Sequence, residues 1–121
     1  MVAGESCGSL VIKKAEQTAK CISLIGWAAT RTSTLTPLGF ADPDSISKAA
    51  MAAIACAGVA PSAVAATHIH GMGNPPSDIP ELQGIVLATA KGCNRPLVLS
   101  NHKANFGHSE YASGFVALLA A

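Results

Sequence analysis

A layered α/β fold is expected from this sequence for two reasons. Short apolar runs rich in β-branched residues alternate along the chain with segments whose apolar residues recur at helical spacing. Two loops that contain glycine and histidine each follow a predicted strand and precede a predicted helix. Because crossovers in such folds are right-handed and ligands gather at the carboxyl ends of strands, both loops should meet at one edge of the sheet.

The first part of the chain predicts two strands and a long loop. Ser9–Ile12 and Ile22–Ala29 are short apolar runs separated by a polar stretch, and we expect them to pair as neighbouring antiparallel strands. Residues 30–44 are rich in Thr, Ser, Pro and Gly. This composition predicts a loop of about fifteen residues, a length that is typical of functional loops.

The next segment predicts a helix with a clear beginning and end. Asp44 or Ser45 offers an N-cap, and apolar residues, mostly alanine, follow at helical spacing as far as Ala57. Gly58 then ends the helix. The alanine-rich face allows close approach to a sheet.

The second half of the chain predicts two further pairs of strand and helix. Val64–Ile69 is predicted as a strand leading to the first histidine loop, and Ile79–Lys91 as the helix after that loop. Pro96–Ser100 is predicted as the strand before the second histidine loop, and Tyr111–Ala121 as an apolar helix after it.

Composition excludes several classes of function. The net charge of +1, without basic clusters, and only five aromatic residues argue against binding of nucleic acid. No apolar run approaches the roughly 20 residues of a membrane span. A chain of 121 residues is long enough for one domain at most. Half of its residues are hydrophobic and 12% are charged, a more apolar composition than is usual for a domain of this size. Some apolar faces are therefore expected to meet another protein surface.

The four cysteines do not form a recognisable metal or disulfide pattern. They lie far apart, without a Cys-x-x-Cys pair, at Cys7, Cys21, Cys56 and Cys93. Free thiols in a reducing compartment are favoured over a disulfide or zinc framework. We expect Cys7 and Cys56 to belong to the core.

The two histidine loops are the best candidates for chemistry. They are His70–Pro75, with the pattern His-Gly-x-Gly, and Lys103–Glu110, with the pattern Lys-x-Asn-x-Gly-His-x-Glu. A single histidine in such a loop more often forms hydrogen bonds within a turn than takes part in catalysis, and His70 alone would be interpreted in that way. The two loops together, with the lysine, favour a catalytic origin.

This pair of loops resembles the second half of the β-ketoacyl synthases, the condensing enzymes of fatty-acid and polyketide synthesis. Three further segments resemble that family in the same order: Gly4-Glu5, Ala57–Val64 and Asp78–Glu81. The pattern is closer to the polyketide synthase branch than to a thiolase. The resemblance implies part of a thiolase-like fold, a layered α/β structure with a mixed sheet, and a reaction in which an acyl thioester condenses with a decarboxylating malonyl-type extender.

The resemblance also implies a catalytic set. His70 and His108 match the two histidines that bind the extender thioester carbonyl and promote decarboxylation. A neutral imidazole with a fixed tautomer suits this task, because it can donate a hydrogen bond to the developing oxyanion. Lys103 matches the active-site lysine of the family and Glu110 its following acidic residue, and we expect the two together to orient His108 and tune its protonation.

The residues expected to contact substrate flank this set. Gly71 and Gly73 allow close approach of backbone to a ligand, and the others in the set are Thr36, Asn74 and Asn105. The family has threonines where this chain has Met72 and Asn74, which puts contact with a phosphopantetheine arm there in question. Substrates carried on phosphopantetheine, and no bound cofactor, are implied.

Partners and location follow from the same resemblance. They are an acyl carrier protein, the remainder of the ketosynthase domain, and a second copy of the intact parent as a homodimer. No signal peptide is recognisable in Met1–Leu10, so we expect the cytoplasm, or the plastid stroma.

Two other kinds of site are disfavoured. His68 and His70 form a His-x-His pair on one face of a strand, and His102 and His108 could in principle complete a metal site. Since the resemblance accounts for His70 and His108 without metal, we expect none and regard His68 and His102 as structural or incidental. The loop after His70 also lacks the G-x-G-x-x-G spacing of a dinucleotide site.

The nucleophile of the family has no counterpart here. Its cysteine occupies a strand-to-helix elbow before the matched region, and none of the four cysteines has that context. We therefore expect residues 1–121 to be a partial domain, truncated at both ends, that is inactive alone. The alternative is a degenerate condensing-enzyme domain acting as a scaffold or chain-length partner, which Met72 and Asn74 suggest.

Overall fold

A computed structural model describes residues 3–14, 22–31, 37, 40–90 and 92–121 of the chain. Its helices and strands, in chain order, are α1 (Pro43–Ala57), β1 (Ala66–His68), α2 (Pro75–Thr89), β2 (Val98–Ser100), α3 (Lys103–Phe106) and α4 (Ser113–Ala120). Single turns of 3-10 helix cover Pro61–Ala63 and Glu110–Ala112. No described helix is both long and apolar enough to cross a bilayer.

The two strands form a parallel pair connected through α2. Ala66 is opposite Val98 and His68 is opposite Ser100, and the Ile69 N–H donates to the Ser100 carbonyl at 2.9 Å. Parallel pairing requires a crossover, which α2 supplies. Both strands therefore end at the same edge, and the two histidine loops begin there, as predicted.

Helix α1 ends as predicted but begins earlier. Asp42 is the N-cap, because its carboxylate accepts hydrogen bonds from the backbone N–H groups of Asp44 and Ser45, and Pro43 takes the first helical position. At the other end Gly58 adopts a left-handed conformation with φ of 67°, which favours glycine.

Helix α2 also begins a turn before the predicted Ile79. Two prolines at its start supply helical φ angles at positions where no N–H partner is needed. The helix packs closely on α1 at Gly84, where an added Cβ would lie 2.7 Å from the Pro43 carbonyl oxygen and 2.8 Å from the Ile46 side chain. This contact fixes α2, and with it the carboxylates of its first turns.

The predicted strands over Ser9–Ile12 and Ile22–Ala29 are wrong. These segments have no strand pairing, and no mixed sheet occurs among the described residues. The described residues offer neither segment a strand partner, and a strand-like composition does not form a sheet without one. Near the start of the chain, Ala3 instead forms an isolated parallel bridge with His108. The segment around Gly26 lies against α1, because a Cβ on Gly26 would lie 2.5 Å from the Ala53 carbonyl oxygen.

The expectation that Cys7 and Cys56 are buried is also wrong. Both thiols are free and exposed, and Cys93 is free and half-buried. Cys56 lies near the end of α1 on a surface that no described element covers. Cys21 and Thr36 lie outside the described residues.

Large apolar side chains remain exposed over much of the described surface. Among the described residues Ala88 is the only buried hydrophobic one, whereas Val11 is 92% exposed, Trp27 70% and Leu119 65%. Since each Å² of exposed apolar surface costs about 25 cal/mol, a few hundred Å² amounts to several kcal/mol. That is comparable to the total stability of a small domain, about 5–15 kcal/mol.

We therefore expect the 121-residue chain to self-associate, or to pack loosely, when it is isolated. Analytical ultracentrifugation and thermal unfolding check this. A compact monomer at tens of micromolar with a sharp unfolding transition would contradict the prediction.

Candidate active site

The site lies beyond the carboxyl ends of β1 and β2, where the two histidine loops converge. The rings of His70 and His108 have centroids 5.4 Å apart and an interplanar angle of 86°. His70 lies two residues after the end of β1, and His108 lies two residues after the end of α3. An open cleft beside His108 is lined by the segment around Gly4, whose N–H donates to the His108 carbonyl at 3.0 Å.

Two carboxylates of α2 hold the backbone of the first loop. Glu81 accepts the N–H groups of His70 at 2.6 Å and of the next residue at 2.9 Å. Asp78 accepts the N–H of Met72 at 2.8 Å and of Asn74 at 3.0 Å. Hydrogen bonds to a charged acceptor are shorter and stronger than neutral ones. Four of the loop's backbone donors are thus directed toward α2, which fixes the position of His70.

Asn101 connects the first loop to the second. Its side-chain amide donates to the carbonyl of Gly71 at 2.8 Å and to that of His70 at 3.2 Å. Its side-chain oxygen accepts the Lys103 N–H at 2.7 Å, at the start of α3. Gly71 is required here, because its φ is 47° and a Cβ would lie 2.0 Å from the Asn101 amide nitrogen.

Lys103 lies beside His70. Its ammonium group is 3.2 Å from His70 Nδ1 and also donates to the His70 carbonyl. Burial lowers the pKa of Lys103 below its ordinary value, and the nearby carboxylates of Glu81 and Asp78 oppose that shift. The sequence predicted that Lys103 would orient His108, whereas its ammonium group contacts His70, because α3 begins at the carboxyl end of β2 next to β1.

The tautomer of His70 follows from this contact. A charged lysine can only donate, so Nδ1 accepts and Nε2 carries the ring proton. Burial, and then the charge of Lys103, lower the pKa of His70 below 6.5, although Glu81 and Asp78 act in the opposite direction. The ring is therefore neutral at physiological pH, with an Nε2–H donor.

His108 is held in the same tautomer as His70, with the proton on Nε2. Its Nδ1 accepts the backbone N–H of Glu110 at 2.8 Å, so Nε2 carries the proton of the neutral ring. Glu110 thus contacts His108 through its backbone N–H. It adopts a positive φ of 42°, which is uncommon for a residue other than glycine. This turn directs its N–H at the imidazole.

The arrangement can stabilise negative charge on one oxygen atom. Two neutral imidazoles present Nε2–H donors from perpendicular rings that are 5.4 Å apart. Since a hydrogen bond spans about 3 Å, an oxygen between the rings could accept from both. Donors held in place in this way stabilise an oxyanion without reorganising during the reaction.

The other predicted contact residues are distributed around this pair. Gly73 has a φ of 73°, and Asn74 precedes α2 as its N-cap residue without a side-chain capping bond. Asn105 is exposed on α3 and donates its backbone N–H to the His102 carbonyl at 3.0 Å. The roles of Gly71, Gly73, Asn74 and Asn105 in substrate binding stay predictions, as does that of Thr36.

Sequence reasoning assigned no role to several residues that organise the site. Asp78 and Glu81 matched the family pattern only as part of a segment, although their spacing places both on one face of α2. Asn101 carried no sequence signal. His68 and His102, taken as structural, bond to each other at 2.8 Å between His68 Nε2 and His102 Nδ1.

The histidines of the site were also considered above as metal ligands. Within the described ranges, no group of three or more His, Cys, Asp or Glu side chains could hold a metal ion. The facing ring nitrogens of His68 and His102 are 2.8 Å apart and form a hydrogen bond with each other. The absence of a metal stays a prediction.

Comparison with known proteins identifies the family. Residues 22–121 match the family described as β-ketoacyl synthase, C-terminal domain. The chain is 30% identical to a non-reducing polyketide synthase of an Arthrinium species, over 98% of the chain, and 30% identical to a mycocerosic acid synthase-like polyketide synthase of Mycolicibacterium smegmatis, over 99%. It spans about 6% of the length of each of these relatives.

A solved structure shows the same fold. An oxazolomycin ketosynthase domain of Streptomyces albus superposes with a TM-score of 0.66 and 26% sequence identity, covering 80% of this chain and 26% of that domain's chain. The prediction of a thiolase-like α/β fold is therefore confirmed. On the family match and this structural likeness, the chain belongs to the C-terminal domain family of the β-ketoacyl synthases.

Proposed function

We propose that this chain supplies the oxyanion-binding half of a ketosynthase active site in polyketide or fatty-acid synthesis. One observation carries the proposal: His70 and His108 are both held as neutral imidazoles with Nε2–H donors, by Lys103 on one side and the Glu110 backbone on the other. Two N–H donors on rings whose centroids lie 5.4 Å apart suit stabilisation of an enolate oxygen.

The reaction would use this pair in the following way. The extender is a malonyl-type thioester whose carbonyl oxygen lies between the two Nε2–H groups. Its carboxylate leaves as carbon dioxide, and the electrons of the broken C–C bond form an enolate whose oxygen both histidines stabilise. The enolate carbon then attacks the acyl thioester on a cysteine of the remaining domain, and the cysteine leaves as a thiolate.

The proposed partners follow from this reaction. An acyl carrier protein would deliver the extender on its phosphopantetheine arm, and the remainder of the ketosynthase domain would supply the cysteine and cover exposed apolar surface. A homodimer of the intact protein is proposed on the family resemblance. So is a cytoplasmic or plastid location, with which the free thiols Cys7, Cys56 and Cys93 agree.

A condensation assay tests the proposal. The chain alone is expected to yield no β-ketoacyl product from an acyl thioester and a malonyl carrier protein, whereas a complete ketosynthase with this sequence should yield it. Mass spectrometry detects the product. Product from the chain alone, above a control without protein, would contradict the assignment of the nucleophile to the rest of the domain.

The scaffold alternative rests on Met72 and Asn74. Both residues contact Asp78 through their backbone N–H groups, so loss of the family's threonines leaves the loop geometry intact. The loop position of His70, which a catalytic role requires, is therefore retained. If the complete ketosynthase binds the malonyl carrier protein and releases no carbon dioxide, the scaffold role is the correct one.

A further inference from the structure

A chain of four polar side chains runs behind the catalytic loops. Ser100 Oγ lies 2.9 Å from His68 Nδ1, His68 Nε2 lies 2.8 Å from His102 Nδ1, and His102 Nε2 lies 3.4 Å from Ser113 Oγ. The two imidazole rings are nearly parallel, with an interplanar angle of 11°. The chain joins the ends of β1 and β2 to α4.

The direction of each hydrogen bond can be derived. The backbone N–H of His102 donates to His68 Nε2 at 3.3 Å, so this ring nitrogen is an acceptor and His68 Nδ1 carries the proton. His102 Nδ1 must then donate to His68 Nε2, which leaves His102 Nε2 to accept from the Ser113 hydroxyl. Both rings are neutral in this arrangement, and His68 Nε2 accepts two hydrogen bonds.

The environment of His102 favours the neutral form. Its side chain is only 2% exposed. Burial, followed by the charge of Lys103 and the neighbouring His68, His70 and His108, lowers the pKa of His102. No carboxylate is among these influences. A second proton on His102 would therefore be unfavourable.

The location of the pair relates it to the catalytic residues. His102 stands between Asn101 and Lys103, the two residues after β2 whose side chains bond to the first loop. His68 is the last residue of β1, two residues before His70. A bond between His68 and His102 therefore fixes the first turn of α3 relative to the end of β1.

We propose that His68 and His102 form a side-chain clamp that positions Lys103 and Asn101 on the His70 loop. The proposal rests on the proposed function for its effect on rate, but the clamp itself does not depend on that function. Both histidines are positioning residues, since neither contacts the site of the reaction. Their contribution should appear in kcat, because a small displacement of aligned catalytic groups lowers the rate of the chemical step.

Two substitutions of His68 separate the hydrogen bond from the volume of the side chain. H68L removes the acceptor for both donors of His102, whereas H68Q places an amide oxygen close to where Nε2 stands. T89V is a matched control, because Thr89 is 5% exposed and its hydroxyl bonds only to the Ile85 carbonyl within α2. All three are measured in a complete ketosynthase with this sequence.

We expect H68L to lower kcat roughly tenfold with little change in KM, and H68Q to retain kcat within about twofold. T89V should leave kcat unchanged even if it lowers the melting temperature. Unchanged kcat in H68L, or an equal loss in H68L and H68Q, would overturn the clamp.

Nitrogen NMR of the histidine rings tests the clamp separately from activity, and it is also the readout if H68L fails to fold. In the wild-type protein, His68 Nε2 should be unprotonated and His102 Nδ1 protonated near neutral pH. The opposite protonation at either nitrogen would overturn the clamp. An inactive wild-type ketosynthase with the expected protonation would refute the proposed function and leave the clamp supported.

Discussion

Replacing His70 with alanine in a complete ketosynthase is expected to slow malonyl decarboxylation by about a hundredfold or more, and replacing His108 should do the same. Each substitution removes one of two donors to the same oxyanion. Since the two act as a unit, the double variant should be far less impaired than the product of the single effects predicts. Release of labelled carbon dioxide from malonyl carrier protein measures all three rates.

The control for this experiment is H70Q, which can place an amide donor near the position of Nε2. It should retain more activity than H70A. A variant in which either histidine is removed without effect would contradict the paired roles.

Acid should slow a complete ketosynthase with this sequence through the same histidine, because a proton on His70 Nδ1 removes the acceptor for the Lys103 ammonium group. Because the pKa of His70 lies below 6.5, the neutral ring dominates at pH 7, and protonation begins only as the pH falls below that ordinary value. In the unfolded chain His70 takes up its proton at higher pH than in the folded chain. Falling pH therefore also removes stability, progressively from about 6.5 downward. The pH profile of kcat in wild type and H70Q checks the assignment.

The second large effect is expected from the carboxylates of α2. Glu81→Ala leaves the N–H groups of His70 and Gly71 without their acceptor. One unsatisfied donor costs about 1–3 kcal/mol when it is fully buried and less in a partly exposed loop, but Glu81→Ala leaves two such donors, whose costs add. We expect a loss of about 1–3 kcal/mol in unfolding free energy and a fall in kcat of tenfold or more, because His70 is no longer held. Asp78→Ala should act in the same direction through Met72 and Asn74.

Glu81→Gln is the informative control, because its amide retains one acceptor oxygen. Denaturant unfolding and kcat should both place it between wild type and Glu81→Ala. Wild-type kcat in Glu81→Ala would show that the carboxylates do not position His70.

The elements that the sequence predicted well are those with local signals. The end of α1 at Gly58 needs only the freedom of glycine to adopt a left-handed conformation, and the histidine loops follow β1 and β2 because parallel strands bring their carboxyl ends together. The helix starts were less accurate. Asp42 caps α1 and Pro75 begins α2, and both residues precede the apolar pattern from which the helices were predicted.

The interactions that the sequence could not predict depend on distant neighbours. Ser9–Ile12 has the composition of a strand but no strand partner among the described residues. Asn101 is an unremarkable amide until the fold places it against Gly71. Lys103 contacts His70 rather than His108 because α3 begins next to β1, a fact of tertiary structure that spacing along the chain does not contain.

A structure of a complete ketosynthase with this sequence, bound to a non-decarboxylating malonyl thioester analogue, tests the central claim most directly. The account predicts that the thioester carbonyl oxygen lies within about 2.7–3.2 Å of both His70 Nε2 and His108 Nε2. A carbonyl oxygen that contacts only one of the two nitrogens, or neither, would contradict it.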